Sequence, residues 1–174
     1  MSPRRREALI LGAVGAAAAG AGLFAGALFL QSGSGASALL SAAYPDVAGR
    51  ERRLVEWKGR VLVCNFWATW CAPCREEMPM LSKLRDEYAA KGVEFVGIGI
   101  DSAAKIRDFL KDYPVSYPLL VAGAEAIDLM RALGNSAGAL PFTVVLDRAG
   151  AVAYRRLGLL AREDLEKALV GFLR

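Results

Sequence analysis

The chain has 174 residues, enough for one domain of ordinary size plus an appendage. Its 22 Lys and Arg against 18 Asp and Glu give a net charge of +4, but three Arg and one Glu fall within Met1 to Leu30; the rest is nearly neutral, and no concentrated basic face for nucleic acid is expected. The sequence contains no His, which excludes Ser-His-Asp and Cys-His catalytic pairs, imidazole metal ligands and the usual haem ligation.

From Ala8 to Leu30 there are 23 residues without a charge. As a helix they would measure roughly 34 Å at about 1.5 Å per residue. That is the thickness of a bilayer core and longer than the apolar heart of a signal peptide. A retained single-pass anchor over residues 1–30 is therefore expected, with Arg4, Arg5 and Arg6 on the cytoplasmic side and Gln31 onward across the membrane. Ala36-Ser37-Ala38 also fits a small-x-small cleavage site, so a cleaved signal that leaves a soluble periplasmic domain is the alternative. Both readings carry the remaining chain across the cytoplasmic membrane. The Ser, Gly and Ala of the next stretch predict a flexible tether over residues 31–43, and the folded domain is expected over residues 44–174.

Val61 to Ala68, VLVCNFWA, is a continuous apolar run of the kind a strand covered on both faces requires. From Ala72 to about Lys91 the apolar positions Met78, Leu81, Leu84, Tyr88 and Ala89 fall at helical spacing, and Gly92 provides the stop. Val93 to Ile100 reads as a second buried strand, which makes a βαβ unit with two parallel strands. Asp101 or Ser102 is placed to cap a helix that turns Ile106, Phe109, Leu110 and Tyr113 inward. Leu119 to Val121 predicts a short strand and Ala124 to Leu133 a short helix ended by Gly134-Asn135. Phe142 to Leu146 and Ala151 to Arg156 flank an Asp-and-Gly turn and read as a hairpin; Leu165, Ala168, Leu169 and Phe172 form the stripe of a last helix. The sum is an α/β domain with a mixed sheet and helices on both faces. Arg50 to Arg53 and Trp57 read as surface and hairpin features.

Cys71-Ala72-Pro73-Cys74 lies where a buried strand becomes a helix. Two thiols three positions apart can close a disulfide there, and the orphan N–H groups of the first turn stabilise a thiolate on the first of them. Pro73 fits a turn that has no use for its N–H. A zinc site needs four ligands, which three Cys without His do not supply. A purely structural bridge closes too short a loop to constrain the unfolded chain much.

The stretch NFWATWCAPCREEMP, Asn65 to Pro79, resembles the active-site signature of membrane-anchored, thioredoxin-like proteins of the TlpA, ResA and CcmG group. The resemblance runs from Tyr44 to the C-terminus and takes in WKGRVLV before the signature, VGIGID after it and ALPFTVVLDRAG near the end. It implies a thioredoxin fold, with an inserted element around Pro114 to Leu133, working outside the cytoplasmic membrane. Pro141 matches the family's cis-proline, which lies against the dithiol and leaves the backbone of Leu140 free to pair with an extended substrate. Trp70 is expected to shield the sulfur and supply a docking surface with Ala72, Pro73 and Leu140; Trp67 is expected in packing. Pro79 is expected to kink its helix. Asn65 stands where cytoplasmic thioredoxins carry a buried Asp, and an amide cannot titrate. Glu77 matches the acidic residue that ResA-like members place beneath their dithiol, and is expected to relay the proton of Cys74; the alternative is a solvated helix carboxylate. Cys64 is expected to be an inert thiol in the sheet interior.

The resemblance implies a thiol–disulfide oxidoreductase that reduces exported proteins, with no cofactor beyond the redox-active Cys71–Cys74 pair. Its implied partners are a disulfide-containing substrate, such as an apocytochrome c or a copper-site protein, and a membrane thiol transporter of the CcdA or DsbD kind as electron donor. A net disulfide oxidant and a Cu(I)-binding metallochaperone are the alternatives. A thiol peroxidase is disfavoured, because Ala68 stands where its Thr or Ser would be.

Overall fold

The computed structural model describes residues 35–173, and the anchor or signal expected over residues 1–30 lies outside them. Among the described residues no helix is long and apolar enough to cross a membrane. The first of them differ from expectation. Residues 35–41 form a helix (α1) in which Leu39 is fully buried and Ala36 nearly so. Gly35 lies so close to the carbonyl of Ala132 that a Cβ would have no room. The small side chains that read as a tether are what allow this close approach, so this part of residues 31–43 belongs to the core.

Ala43–Pro45 (β1) then pairs antiparallel with Glu51–Arg53 (β2). The turn between them is held by Asp46, which is buried and whose Oδ1 accepts from the N–H groups of Ala48 and Arg50 at 2.9 and 3.0 Å. Trp57, expected at the surface, closes the following 3-10 turn and is buried, with the Arg52 guanidinium over its ring at 4.9 Å.

The main sheet grows from Val61–Trp67 (β3), buried at every position. Ala72–Tyr88 (α2) follows and ends through a 3-10 turn at Gly92, which takes the left-handed conformation. Val93–Ile100 (β4) returns parallel to β3. Ser102 accepts the N–H of Lys105 and caps Ala103–Asp112 (α3). Leu119–Ala122 (β5) adds parallel to β4, and Glu125–Ala132 (α4) crosses back over the sheet. Phe142–Leu146 (β6) joins antiparallel to β3, Val152–Leu157 (β7) antiparallel to β6, and Arg162–Phe172 (α5) closes the chain. The strand order is β5-β4-β3-β6-β7.

Alternation along β3 divides the core into two layers. Val61, Val63 and Trp67 face α2, α3 and α5, packing with Met78, Leu81, Ile106 and Leu165. Leu62, Cys64 and Phe66 face α1, α4 and the N-terminal hairpin, packing with Leu39, Met130 and Leu54. The right-handed crossovers β3–α2–β4 and β4–α3–β5 place their helices on one face; the step back from β5 to β6 places α4 on the other. Gly97 on β4 sits where Trp67, Tyr117 and Leu119 converge, and a side chain there would displace all three. Tyr113, expected inward, is 46% exposed; it stacks on Phe109, which leans on Trp67.

Because Leu39 is wholly enclosed, Leu39→Ala is expected to cost about 2–4 kcal/mol of unfolding free energy, measured by urea titration. A chain that starts at Tyr44 should be destabilised at least as much, whereas a true tether would tolerate both changes.

Candidate redox-active site

Four segments meet at the end of the sheet where β3 stops. The first is the turn 68–71, closed by the Cys71 N–H donating to the Ala68 carbonyl at 3.1 Å. The Thr69 hydroxyl within this turn donates to Asp101 at the end of β4. Asp101 also accepts the Ser102 N–H at 2.8 Å and pairs with Lys105 at 3.3 Å, and these partners hold its carboxyl below the usual range against the opposing effect of burial. The turn is thereby fastened to the β4–α3 junction.

Cys71 is the N-cap of α2, and its Sγ accepts the Cys74 N–H at 3.3 Å. Pro73 occupies the first turn, where its missing N–H is harmless. Cys71 and Cys74 form a disulfide with a Cα–Cα separation of 5.3 Å. Cys74 is fully enclosed, whereas Cys71, also largely buried, keeps 6% of its surface exposed and is the more accessible residue of the two. Ala72 and Pro73 are exposed, and Trp70 stands 67% exposed beside them.

The third and fourth segments come from β6 and β7. Phe142 pairs with Phe66, so Pro141 sits at the same sheet end as the dithiol turn. The Leu140–Pro141 peptide is cis, as the resemblance implied, and Leu140 is half-buried. Beyond β7 the Gly158 N–H donates to the Pro141 carbonyl at 2.9 Å.

Glu77 lies beneath this surface. It is 2% exposed on α2, three residues after Cys74, whereas Glu76 is exposed. Its Oε1 accepts from Asn65 Nδ2 at 2.7 Å and its Oε2 from the Leu160 N–H at 3.0 Å. Asn65 Nδ2 also donates to Thr143 Oγ1 at 3.0 Å, which ties β3, β6, α2 and the β7–α5 loop together. Burial pushes the Glu77 carboxyl above its ordinary range, and the two donors pull the other way without reversing it. Tyr117 is buried nearby; burial and the charge of Glu77 both raise its phenol, whose oxygen has no partner among the described residues. A solvated role for Glu77 is thus excluded. Cys64 is a free thiol on the opposite face of the sheet, fully enclosed and pushed well up by burial. Among the described residues no three or more His, Cys, Asp or Glu gather as a metal site.

Sequence reasoning did not identify the Leu160 N–H, Thr143, Tyr117 or the Thr69–Asp101 bond. Thr143 was the one with a signal: it is the polar residue in the otherwise apolar run FTVVL.

A parallel-then-antiparallel sheet, a Cys-x-x-Cys disulfide opening a helix and a cis-proline at the same sheet end define a thioredoxin-type redox protein. The Redoxin family matches residues 34–169. The chain is 32% identical over 123 residues to the thiol-disulfide oxidoreductase ResA of Bacillus cereus, covering 70% of this chain and 68% of that one. It is 33% identical over 129 residues to the thioredoxin-like protein YneN of Bacillus subtilis (strain 168), 71% of each. In three dimensions it resembles a thioredoxin-family thiol:disulfide interchange protein from Chlorobium tepidum TLS, with a TM-score of 0.66 and 28% identity over 77% of this chain and 94% of that one. It also resembles a secreted thiol-disulfide isomerase from Corynebacterium glutamicum, with a TM-score of 0.68 and 26% identity over 78% and 84%. The chain belongs to the Redoxin family and, within it, to the thioredoxin-like thiol–disulfide oxidoreductases of the TlpA, ResA and CcmG group.

A carboxyl with a raised pKa binds more protons folded than unfolded, so its contribution to stability is greatest at low pH and is lost as pH rises through the raised value. Glu77→Gln is therefore expected to remove that decline and to be more stable than wild type near neutral pH. Urea midpoints taken from about pH 4 to about pH 8 check this; parallel curves for the two proteins would refute it.

Proposed function

We propose that this chain is a disulfide reductase for exported proteins, held at the outer face of the cytoplasmic membrane by residues 1–30 or released after cleavage near Ala38. Its folded part begins with α1, and β5 with α4 forms the inserted element of the family. The observation that carries the reading is the unequal exposure of the two cysteines, Cys71 at 6% and Cys74 fully enclosed, with Glu77 buried three residues further along the same helix. The secreted relative and the uncharged stretch Ala8 to Leu30 support the location.

In the first step the Cys71 thiolate attacks one sulfur of a substrate disulfide. A Cys71–substrate bond forms, the substrate bond breaks, and the departing thiolate takes a proton from solvent. In the second, Glu77 accepts the proton of Cys74, whose thiolate attacks Cys71 Sγ. The Cys71–Cys74 bond forms as the mixed disulfide breaks, and the second substrate sulfur leaves and is protonated. Two electrons pass to the substrate, and the protein ends in the disulfide form seen here. Trp70, Ala72, Pro73 and Leu140 line the surface that receives the substrate, with Pro141 at its centre. Restoring the dithiol needs a thiol donor; a membrane transporter of the CcdA or DsbD kind fits a domain held beside the membrane. An apocytochrome c or a copper-site protein, each reduced before metal or haem attachment, fits as the substrate.

Cys74→Ser is expected to accumulate a dithiothreitol-sensitive mixed disulfide on Cys71 with its substrate, and Cys71→Ser to form none. Glu77→Gln should slow the second step by about 100-fold near neutral pH, the lower end for a lost general base, as read by stopped-flow release of the substrate thiol. Equilibration with glutathione should give a potential below about −200 mV; one above about −150 mV assigns a net oxidant instead.

A further inference from the structure

The end of the sheet opposite the dithiol is built from three short segments. Strands β3 and β4 both start there, after residues 58–60 and 91–92, and β6 turns into β7 there through residues 147–151, because Leu146 pairs with both Leu62 and Val152. The Val61 N–H donates to the Gly92 carbonyl at 3.0 Å, and the Arg148 guanidinium lies beside Gly92. Helix α1 reaches the same end: Gly35 lies against the Ala132 carbonyl, and five residues later the Leu40 side chain packs on the turn at Gly150. With Ser37, Ser41, Arg53, Val55 and Lys58, Leu40 lines an open recess of about 350 Å³ in which Val55 is 47% exposed.

This end is basic where it is exposed. Lys58, Arg60, Lys91 and Arg148 all reach solvent. Its acids are already engaged: Glu94 is paired by Arg60 at 3.1 Å and by Arg85 at 3.8 Å, Glu56 by Arg52 at 2.7 Å and Glu51 by Arg53 at 3.4 Å, and Asp147 accepts the Ala151 N–H at 2.9 Å. Lys58, Lys91 and Arg148 pair with no acid among the described residues; Lys91 lies over the Tyr88 ring instead. In the sequence, residues 31–34 separate the uncharged stretch ending at Leu30 from α1, and four residues reach at most about 14 Å. The exposed side of α4, the nearest other surface to the start of α1, carries Glu125 and Asp128 against Arg131.

We infer that this end of the domain rests on the outer surface of the membrane, with Lys58, Lys91 and Arg148 against anionic phospholipid headgroups and Val55 and Leu40 at the interface. The inference deepens the anchored form of the proposed function and rests on it. That form also keeps the fold whole, because cleavage after Ala38 would remove Ala36, which is buried against the core. Attraction of a basic side chain to an anionic surface falls off within a Debye length, about 8 Å at physiological salt, so it acts on a domain held this close. The seven residues of β3 then lift the dithiol about 20 Å above the headgroups, at about 3.3 Å per residue. The surface around Cys71 faces away from the membrane. A substrate approaches it from the aqueous side, and a membrane-bound thiol donor must carry its reactive thiols on a part that projects by a similar height.

The test uses the full oxidised chain in nanodiscs. Cys71 and Cys74 are then bonded to each other and Cys64 is fully enclosed, so an added cysteine is the one thiol open to a fluorescent label. Val55→Cys and Ala149→Cys place the label at the basic end, and Ala104→Cys places it at the start of α3, on the dithiol side. In phosphatidylglycerol doped with a lipid that carries a headgroup nitroxide, the labels at 55 and 149 are expected to be quenched at least about three-fold more than the label at 104. Exchanging phosphatidylglycerol for phosphatidylcholine, which needs no further variant, should lower the quenching at 55 by about five-fold. Lys58→Glu, Lys91→Glu and Arg148→Glu together should do the same while insulin reduction stays within about two-fold. Equal quenching at 104 and 55, no quenching at any label, or quenching at 55 that is the same in both lipids overturns the inference. A chain that does not float with vesicles overturns the anchored form itself, and is distinguishable because flotation is read before any label.

Discussion

A carboxyl group cannot be enclosed in an apolar layer unless fixed donors meet it. Glu77 meets that condition through one amide side chain and one peptide N–H, and the two donors are far apart in the sequence: Asn65 on the central strand and Leu160 near the last helix. Asn65 shares its donor with Thr143 on the neighbouring antiparallel strand. The strand order, the register of β6 against β3 and the course of the β7–α5 loop must all be correct before those bonds can form. The polar cluster around Glu77 therefore specifies the tertiary arrangement, and a partly formed version would leave a buried acid unmet.

The topology explains why the reactive parts lie together. Strands β3 and β4 are parallel, and two antiparallel steps bring β7 back to the direction of β3, so all three end on the same side of the sheet. Their outgoing loops carry Thr69 to Cys71, Asp101 and Gly158 to Leu160; the cis-proline enters at the start of β6 between them. Each loop is bonded to another: Thr69 to Asp101, Gly158 to Pro141, Leu160 to Glu77. The surface around Cys71 is built from loops, yet rigid strand ends anchor every one of them.

What could be read from the residues followed the physics of each element. The runs VLVCNFW and VEFVGIGI are apolar apart from Asn65 and Glu94 because both faces of the central strands are covered, and Gly92 ends the helix between them where the chain needs a positive φ. The Cys-x-x-Cys at a strand-to-helix junction was equally plain, and the burial of Glu77 followed from resemblance, since a carboxylate at helical spacing looks the same whether solvated or enclosed. Other features left no such trace. The helix over residues 35–41 has five Gly, Ala or Ser residues beside Leu39 and Leu40 and packs close against α4, so composition argued for a tether. Strands β1 and β2 are three residues each, too short for alternation to show, and Trp57 was misplaced with them. The Leu160 contact is made by a peptide N–H, an atom every residue but proline possesses, and no side-chain pattern can announce it.

The amide at position 65 and the acid at position 77 are not interchangeable. Their side chains meet at 2.7 Å, and two carboxylates at that distance could not both ionise; they would share one proton and titrate as a pair. With Asn65 on the strand, the single acid rides on α2, the same helix that carries both sulfurs, and the strand contributes a donor whose protonation never changes. The acid and the enclosed cysteine are three residues apart on that helix, which fixes their relative placement. Strand β3 and the β7–α5 loop hold the acid's oxygens from outside the helix, so helix, sheet and loop meet at one carboxyl group.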